Sequence, residues 1–113
     1  MKGKPLLPTL RTKKRYVVYE YISDKNISHN NIVSAVKKSY KECFGTFGLS
    51  EAGLMDTKIH NKNRGILKVN HKYLDKLCVS MAMITNVNDQ NLVLHTVGVS
   101  GILKKAKNKY MSG

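Results

Sequence analysis

Residues 15–23, RYVVYEYIS, set the tightest limit on what this chain can fold into. Aromatic and β-branched residues fill the run, the pattern of a strand. Tyr16, Val18, Glu20 and Ile22 would lie on one face, and Val17, Tyr19 and Tyr21 on the other. Both faces are largely apolar, so neither gains by standing in water. The strand belongs in the centre of a sheet, with helices on one side and a cover or a binding partner on the other.

The remaining segments supply that packing. Ser28 is placed to cap a helix that runs to about Phe44. Ile32, Val33, Val36, Tyr40, Cys43 and Phe44 share one stripe of it, while Lys37, Lys38, Lys41 and Glu42 lie off the stripe. Gly45 suits the position just past its end. The following TFGLSEAG reads as a loop, in which Phe47 and Leu49 either pack locally or meet a partner protein. Segments 54–60 and 64–69 read as a hairpin around Asn61, Lys62 and Asn63. A second helix starts near Asn70, a possible cap, and turns Tyr73, Leu74, Leu77, Cys78, Met81 and Ile84 inward. Val79, Ala82 and Met83 widen its apolar band, so Met81 and Met83 are further candidates for a protein interface, with core packing as the alternative. A polar turn over 86–90 leads to a last strand from Leu92 to Val97.

Strand, helix, strand, strand, helix, strand is the order of a ferredoxin-like α+β sandwich: βαββαβ with an antiparallel sheet, here followed by a basic helix. Domains of the RNA-recognition-motif type share this order and stack bases on aromatics of their first and third strands. The third strand here, RGILKVN, opens with a suitable Arg64–Gly65 but contains no aromatic. The sheet face is therefore not expected to be a base-stacking platform, and RNA contact would fall to edges, loops and the basic ends.

Those ends are distinctive. Lys and Arg total 20 against 7 Asp and Glu, a net charge of +13 with pI near 9.9. Ten of the twenty basic residues lie in segments 1–15 and 100–113, which contain no acid. Residues 1–14 read as a basic arm, extended around Pro5 and Pro8, and 15–113 as one domain. At the other end, Gly98 and Gly101 would bracket a turn, with Ser100 capping a short lysine-rich helix. Free N–H groups at a helix start and lysines along its side both suit phosphate, although an ordinary turn with a solvated lysine face has the same sequence. Nucleic acid is the leading polyanion for such a chain. The candidate RNA contacts are Arg11, Lys13, Lys14 and Arg15 at the entry to the first strand. At the exit of the last they are Gly98, Ser100, Gly101, Lys104, Lys105 and Lys107. Arg15 and Gly98 are expected at opposite ends of the sheet, giving two separate contacts.

Other classes find less support. No apolar run spans a bilayer, and the N-terminal stretch lacks a signal-like core. Cys43 and Cys78 have no paired spacing and read as buried, reduced thiols of a cytoplasmic protein. The four histidines fall on four segments without ligand spacing. The seven acids, Glu20, Asp24, Glu42, Glu51, Asp56, Asp75 and Asp89, are scattered, whereas a two-metal nuclease needs them clustered. No catalytic or metal-binding residue is expected in this chain.

Three stretches together, LPTLRTKKRYVVYEYIS (7–23), RGILKVNHKYLDKLCVSMAMIT (64–85) and HTVGVSGILKKAKNKY (95–110), resemble the archaeal ribonuclease P protein component 2 family, and GLSEAG (48–53) is similar to its middle loop. The chain departs from the family pattern at Leu7–Pro8, where paired prolines are common, and at Leu54–Met55–Asp56, where an aromatic is common. The resemblance implies a ferredoxin-like subunit of the ribonucleoprotein that removes the 5′ leader from precursor tRNA. In that particle the RNA is the catalyst and holds Mg²⁺. The resemblance also implies a pairing with protein component 3, often as a dimer of heterodimers. A general single-stranded RNA binder or a ribosomal protein remains the alternative.

Overall fold

The computed structural model describes residues 13–111. Its elements are β1 (Lys14–Ile22), α1 (His29–Ala52), β2 (Met55–Asn61), β3 (Arg64–Asn70), α2 (Leu74–Ala82), β4 (Asn86–Val87), β5 (Gln90–Asn91), β6 (Val93–Ser100) and α3 (Leu103–Tyr110). β2, β3, β1 and β6 form one antiparallel sheet in that spatial order, and β4–β5 is a small separate ribbon where a polar turn was expected. This is the ferredoxin-like arrangement, with β1 central.

β1 divides the interior as its alternation requires. Val17, Tyr19 and Tyr21 pack with Ile32, Val33, Val36 and Tyr40 of α1, and with Leu77 and Met81 of α2. On the opposite face Val18 and Ile66 meet Ala106 of α3, with Tyr16, Val97, Leu103 and Tyr110 around them. Leu103, Ala106 and Tyr110 recur at helical spacing, which turns one stripe of α3 onto the sheet and leaves its lysines outward. The sheet therefore has a layer on both sides, and the cover on its second face is the basic helix itself.

The Ser28 cap forms as expected, its Oγ accepting the Asn31 N–H at 3.2 Å. The loop assigned to residues 46–53 does not. α1 breaks at Gly45, whose φ of 83° and ψ of 171° are open to glycine, and the chain then resumes as helix to a left-handed Gly53. Ala52 is fully buried, Leu49 packs on the core, and the Asn70 side-chain amide donates to the Glu51 carbonyl at 2.7 Å. Tertiary contacts thus fold a segment whose glycines suggested otherwise. The second helix is also shorter than expected: a 3-10 turn over His71–Tyr73 precedes α2, which ends at Ala82. Asn70 precedes that turn without a side-chain cap, its side chain being engaged with Glu51 and Lys14. Both cysteines are half-buried rather than buried, and both are free thiols.

Candidate nucleic-acid interface

β1 and β6 are neighbours and antiparallel, so the start of one lies beside the end of the other. Tyr16 stands opposite Ser100 and Val18 opposite Gly98. Arg15 therefore lies at the Gly101 turn, and a Cβ on Gly101 would come 3.4 Å from the Arg15 Nη1. The expectation of opposite ends is corrected: the entry of the first strand and the exit of the last form a single edge.

The residues at this edge are held in different ways. The Lys13 carbonyl accepts the His71 N–H at 2.8 Å, which brings the exposed Lys72 to the same end of the sheet. The Lys14 ammonium donates to the Asn70 Oδ1, so it is less available than its sequence position suggests. The Arg15 guanidinium donates to the Lys14 carbonyl at 3.0 Å. Lys68, on β3, stands opposite Tyr16 of β1 and is half-buried. Lys104, Lys105 and Lys107 are exposed on α3. Lys68, His71 and Lys72 were not expected here; only the pairing of Lys14 with Asn70 brings them in. Arg11 lies outside the described residues.

Two of the predicted glycine-turn roles change. Ser100 is the last residue of β6 rather than a cap, and its Oγ accepts the Ile102 N–H at 3.1 Å and donates to the Ile102 carbonyl at 3.0 Å. The residue preceding α3 is Ile102, which offers no side-chain cap. Gly98 lies inside β6, where a Cβ would fall 2.1 Å from the Tyr110 Cζ. Its missing side chain admits the Tyr110 ring and so seats α3. It is a packing position.

At the far end of the sheet, polar groups gather on both faces. Over α3's end, Glu20 takes Arg64 Nε at 2.9 Å and lies 3.2 Å from His95 Nε2, while Arg64 Nη1 donates to the Tyr110 carbonyl at 2.9 Å. On the helical face, His29 Nδ1 is 2.5 Å from the Tyr19 hydroxyl and its Nε2 is 2.7 Å from Asp56 Oδ1. Burial alone would raise the Asp56 carboxyl. The His29 bond and the Lys58 N–H, donated at 2.7 Å, outweigh it and hold the carboxyl below its ordinary value. Burial, reinforced by the Asp56 charge, pushes the Tyr19 hydroxyl up, so it stays protonated. The His60 ring stacks on His29 with centroids 4.4 Å apart.

Of the candidate protein contacts, Phe47 is 87% exposed and Met83 63% exposed. Met83 lies against Cys43, its Sδ accepting from the thiol at 3.4 Å, and Val79 one turn earlier is also exposed. Met81 is a core residue, and Leu49 is half-buried against the core. The widened band on α2 is thus real at Val79 and Met83, but Met81 points the other way.

A model of the Rpp14/Pop5 family matches residues 15–111. The chain belongs to the Rpp14/Pop5 family. Its similarity to ribonuclease P protein component 2 of Methanosarcina mazei is 34% identity, over 96% of this chain and 92% of that protein. For the component 2 of Pyrococcus abyssi the identity is 33%, over 99% and 96%. For that of Archaeoglobus fulgidus it is 32%, over 98% of each. A chain in the cryo-EM structure of yeast ribonuclease MRP has the same fold, with a TM-score of 0.63 at 16% identity over 80% of this chain and 76% of that one. This Rpp14/Pop5 chain matches those three relatives along nearly their whole length.

Proposed function

We propose that this chain is a protein subunit of ribonuclease P that binds the catalytic RNA and supports removal of the 5′ leader from precursor tRNA. Family membership and relatives named as component 2 support the assignment. The observation that carries the RNA-binding role is the joining of Lys13–Arg15 to the β6–α3 turn in one basic edge.

Such an edge acts by charge. Each cation brought within a few ångströms of a phosphate displaces a condensed counterion and lowers the repulsion between adjoining RNA strands. Arg15 at the turn and Lys104, Lys105 and Lys107 on α3 would brace the RNA backbone on a rigid sheet edge, helping the RNA hold its catalytic fold at lower Mg²⁺. Among the described residues, Asp56 is engaged by His29 and Lys58, and Glu20 by Arg64 and His95, so neither carboxylate is free for a divalent ion. Among the described residues no three acids, histidines or cysteines gather as a metal-binding group. The metal belongs to the RNA, and the activity to the holoenzyme.

Component 3 is the proposed protein partner, with Phe47 and the Val79–Met83 surface as its candidate contacts and a dimer of heterodimers as the expected assembly. The particle would work in the cytoplasm; among the described residues no helix is long and apolar enough to cross a membrane. The test is precursor-tRNA cleavage by reconstituted ribonuclease P RNA, with this chain and component 3 present or omitted, across Mg²⁺ and salt. Cleavage at low Mg²⁺ should require the chain. Lys104→Ala with Lys105→Ala should weaken the effect and reduce the salt slope of RNA binding by about 1.4–1.8, as expected for two lost phosphate contacts. An unchanged Mg²⁺ requirement with and without the chain would defeat the proposal.

A further inference from the structure

The end of the sheet away from the basic edge contains an open cleft of about 660 Å³, a volume typical of small-ligand sites. It is lined by residues of the β1–α1 connection and the β2–β3 turn, among them Ser23, Asn26, His29, His60, Lys62 and Asn63. Nothing in the proposed charge-bracing role uses it. We propose that this cleft takes an unpaired nucleobase of the bound RNA, stacked on the His60 ring. The inference rests on the RNA-binding reading above and adds a second, base-dependent contact to it.

The ring is preset. His29 is buried and fixed at both nitrogens by Tyr19 and Asp56, and His60 lies on it with an interplanar angle of 12°. The Tyr19 ring reaches this network because β3 has glycine at position 65: a Cβ there would meet the Tyr19 ring and hydroxyl at 2.5 Å. Lys58, at a φ of 65°, sits in the β2 irregularity that separates the pairings of Asp56 and His60 with β3. His60 is nevertheless exposed and borders the cleft. An imidazole held flat against a buried ring loses little freedom when a second planar group lands on its outer side, and histidine is one of the side chains on which splayed RNA bases stack.

The surroundings favour a base over a simple anion. None of the lining residues is an acid, and Lys62 is the one lysine among them. Asn26 is exposed and makes no hydrogen bond with the other described residues, so its amide can both donate to and accept from a base edge. Asn63 and Ser23 are already engaged, with Tyr21 and Asn91 carbonyls, and serve as walls. Lys62, in the β2–β3 turn at a φ of 55°, is available for the adjoining phosphate. β1 runs from the basic edge to this cleft, a separation of about 26 Å at the usual strand rise, so one RNA can touch both.

The experiment measures binding of the full chain to a single-stranded RNA of about ten nucleotides, within the usual range of such sites, and to an abasic ribose-phosphate strand of the same length. The base-containing strand should bind at least about five-fold more tightly, the low end of what one base–aromatic stack supplies. His60→Ala should erase that gap while leaving affinity for the abasic strand unchanged, and His60→Phe should keep it. Lys104→Ala with Lys105→Ala should weaken both strands alike. Equal affinity of the two strands for the wild-type chain overturns the inference and leaves the charge-based reading standing; so does a gap that persists in His60→Ala or vanishes in His60→Phe. Binding of neither strand overturns both.

Discussion

Gly65→Ala is the substitution whose cost the structure specifies most closely. The new Cβ would fall 2.5 Å from the Tyr19 Cε2 and hydroxyl oxygen and 2.6 Å from its Cζ, about 1 Å inside ordinary contact. The Tyr19 ring has nowhere to go: it is 1% exposed, and its hydroxyl is bonded to a His29 that Asp56 and His60 hold in place. Overpacking of this kind costs roughly 1–3 kcal/mol, and breaking a buried hydrogen bond adds about 1–3 kcal/mol. Removing a glycine from a strand returns about 0.5–1 kcal/mol, for a net loss near 3 kcal/mol. Urea unfolding followed by circular dichroism should register that loss as a lower midpoint. Replacing Tyr19 by Leu should remove most of the penalty, giving a coupling of about 2 kcal/mol in the double-mutant cycle. A Gly65→Ala protein within about 0.5 kcal/mol of wild type, or strict additivity with Tyr19→Leu, would refute the reasoning.

Gly98→Ala creates a nominally worse overlap, 2.1 Å to the Tyr110 Cζ, but the ring it meets is half-buried at the end of α3 and can swing aside. The expected cost is about 1–2 kcal/mol, with faster amide exchange in α3 and little change in the rest of the sheet. Because the Asp56 carboxyl is held below its ordinary 3.8, its contribution is full above that value and is lost as pH falls through the lower folded one. Asp56→Asn should therefore cost stability at neutral pH and flatten the acid limb of a urea-midpoint profile taken down to about pH 3. Phe47→Asp should leave stability within about 0.5 kcal/mol, as an exposed substitution does, and, if the proposed pairing with component 3 uses this surface, should weaken that binding in a pull-down or titration, whereas Met81→Asp should unfold the domain.

The elements were legible where the signal is local. Both faces of 15–23, the α1 stripe through Tyr40 and the hairpin around Lys62 and Asn63 follow from side-chain period and turn residues, and all three appear. What was missed depends on the partner brought in from elsewhere. Alternation of strand direction through βαββαβ already makes the first and last strands antiparallel neighbours, so the single basic edge was derivable by counting directions. The helix over 46–52 was hidden because Gly45 and Gly48 weigh against it locally, while Ala52 and the Asn70 bond that favour it act through the fold. The His29–His60 stack gave no sequence signal: the residues are 31 positions apart, and the pairing of His60 depends on where β2 shifts register. Met81 and Met83 differ by two positions, which on a helix puts them on different sides, and only the packing of α2 decides which is core.

The position of α3 also bears on how any RNA can be read. In a sheet that stacks bases on its first and third strands, the open face must stay accessible. Here Val18 and Ile66, the middle of that face, have no exposure, and α3 is tied over them by the Arg64 bond to the Tyr110 carbonyl and by the ring seated on Gly98. Lifting the helix would return Val18, Ile66, Ala106 and much of Leu103 and Tyr110 to water. At about 1.5–3 kcal/mol for each large apolar side chain re-exposed, that exceeds the gain from stacking one or two bases, about 1–3 kcal/mol each. The strands beneath offer one tyrosine, Tyr16, and no aromatic on β3 to repay it. RNA is therefore expected to bind with α3 in place, on its outward lysines and the adjoining strand ends. Val18 and Ile66 side-chain methyl groups that became accessible to a paramagnetic solvent probe upon RNA binding would show that the helix does lift after all.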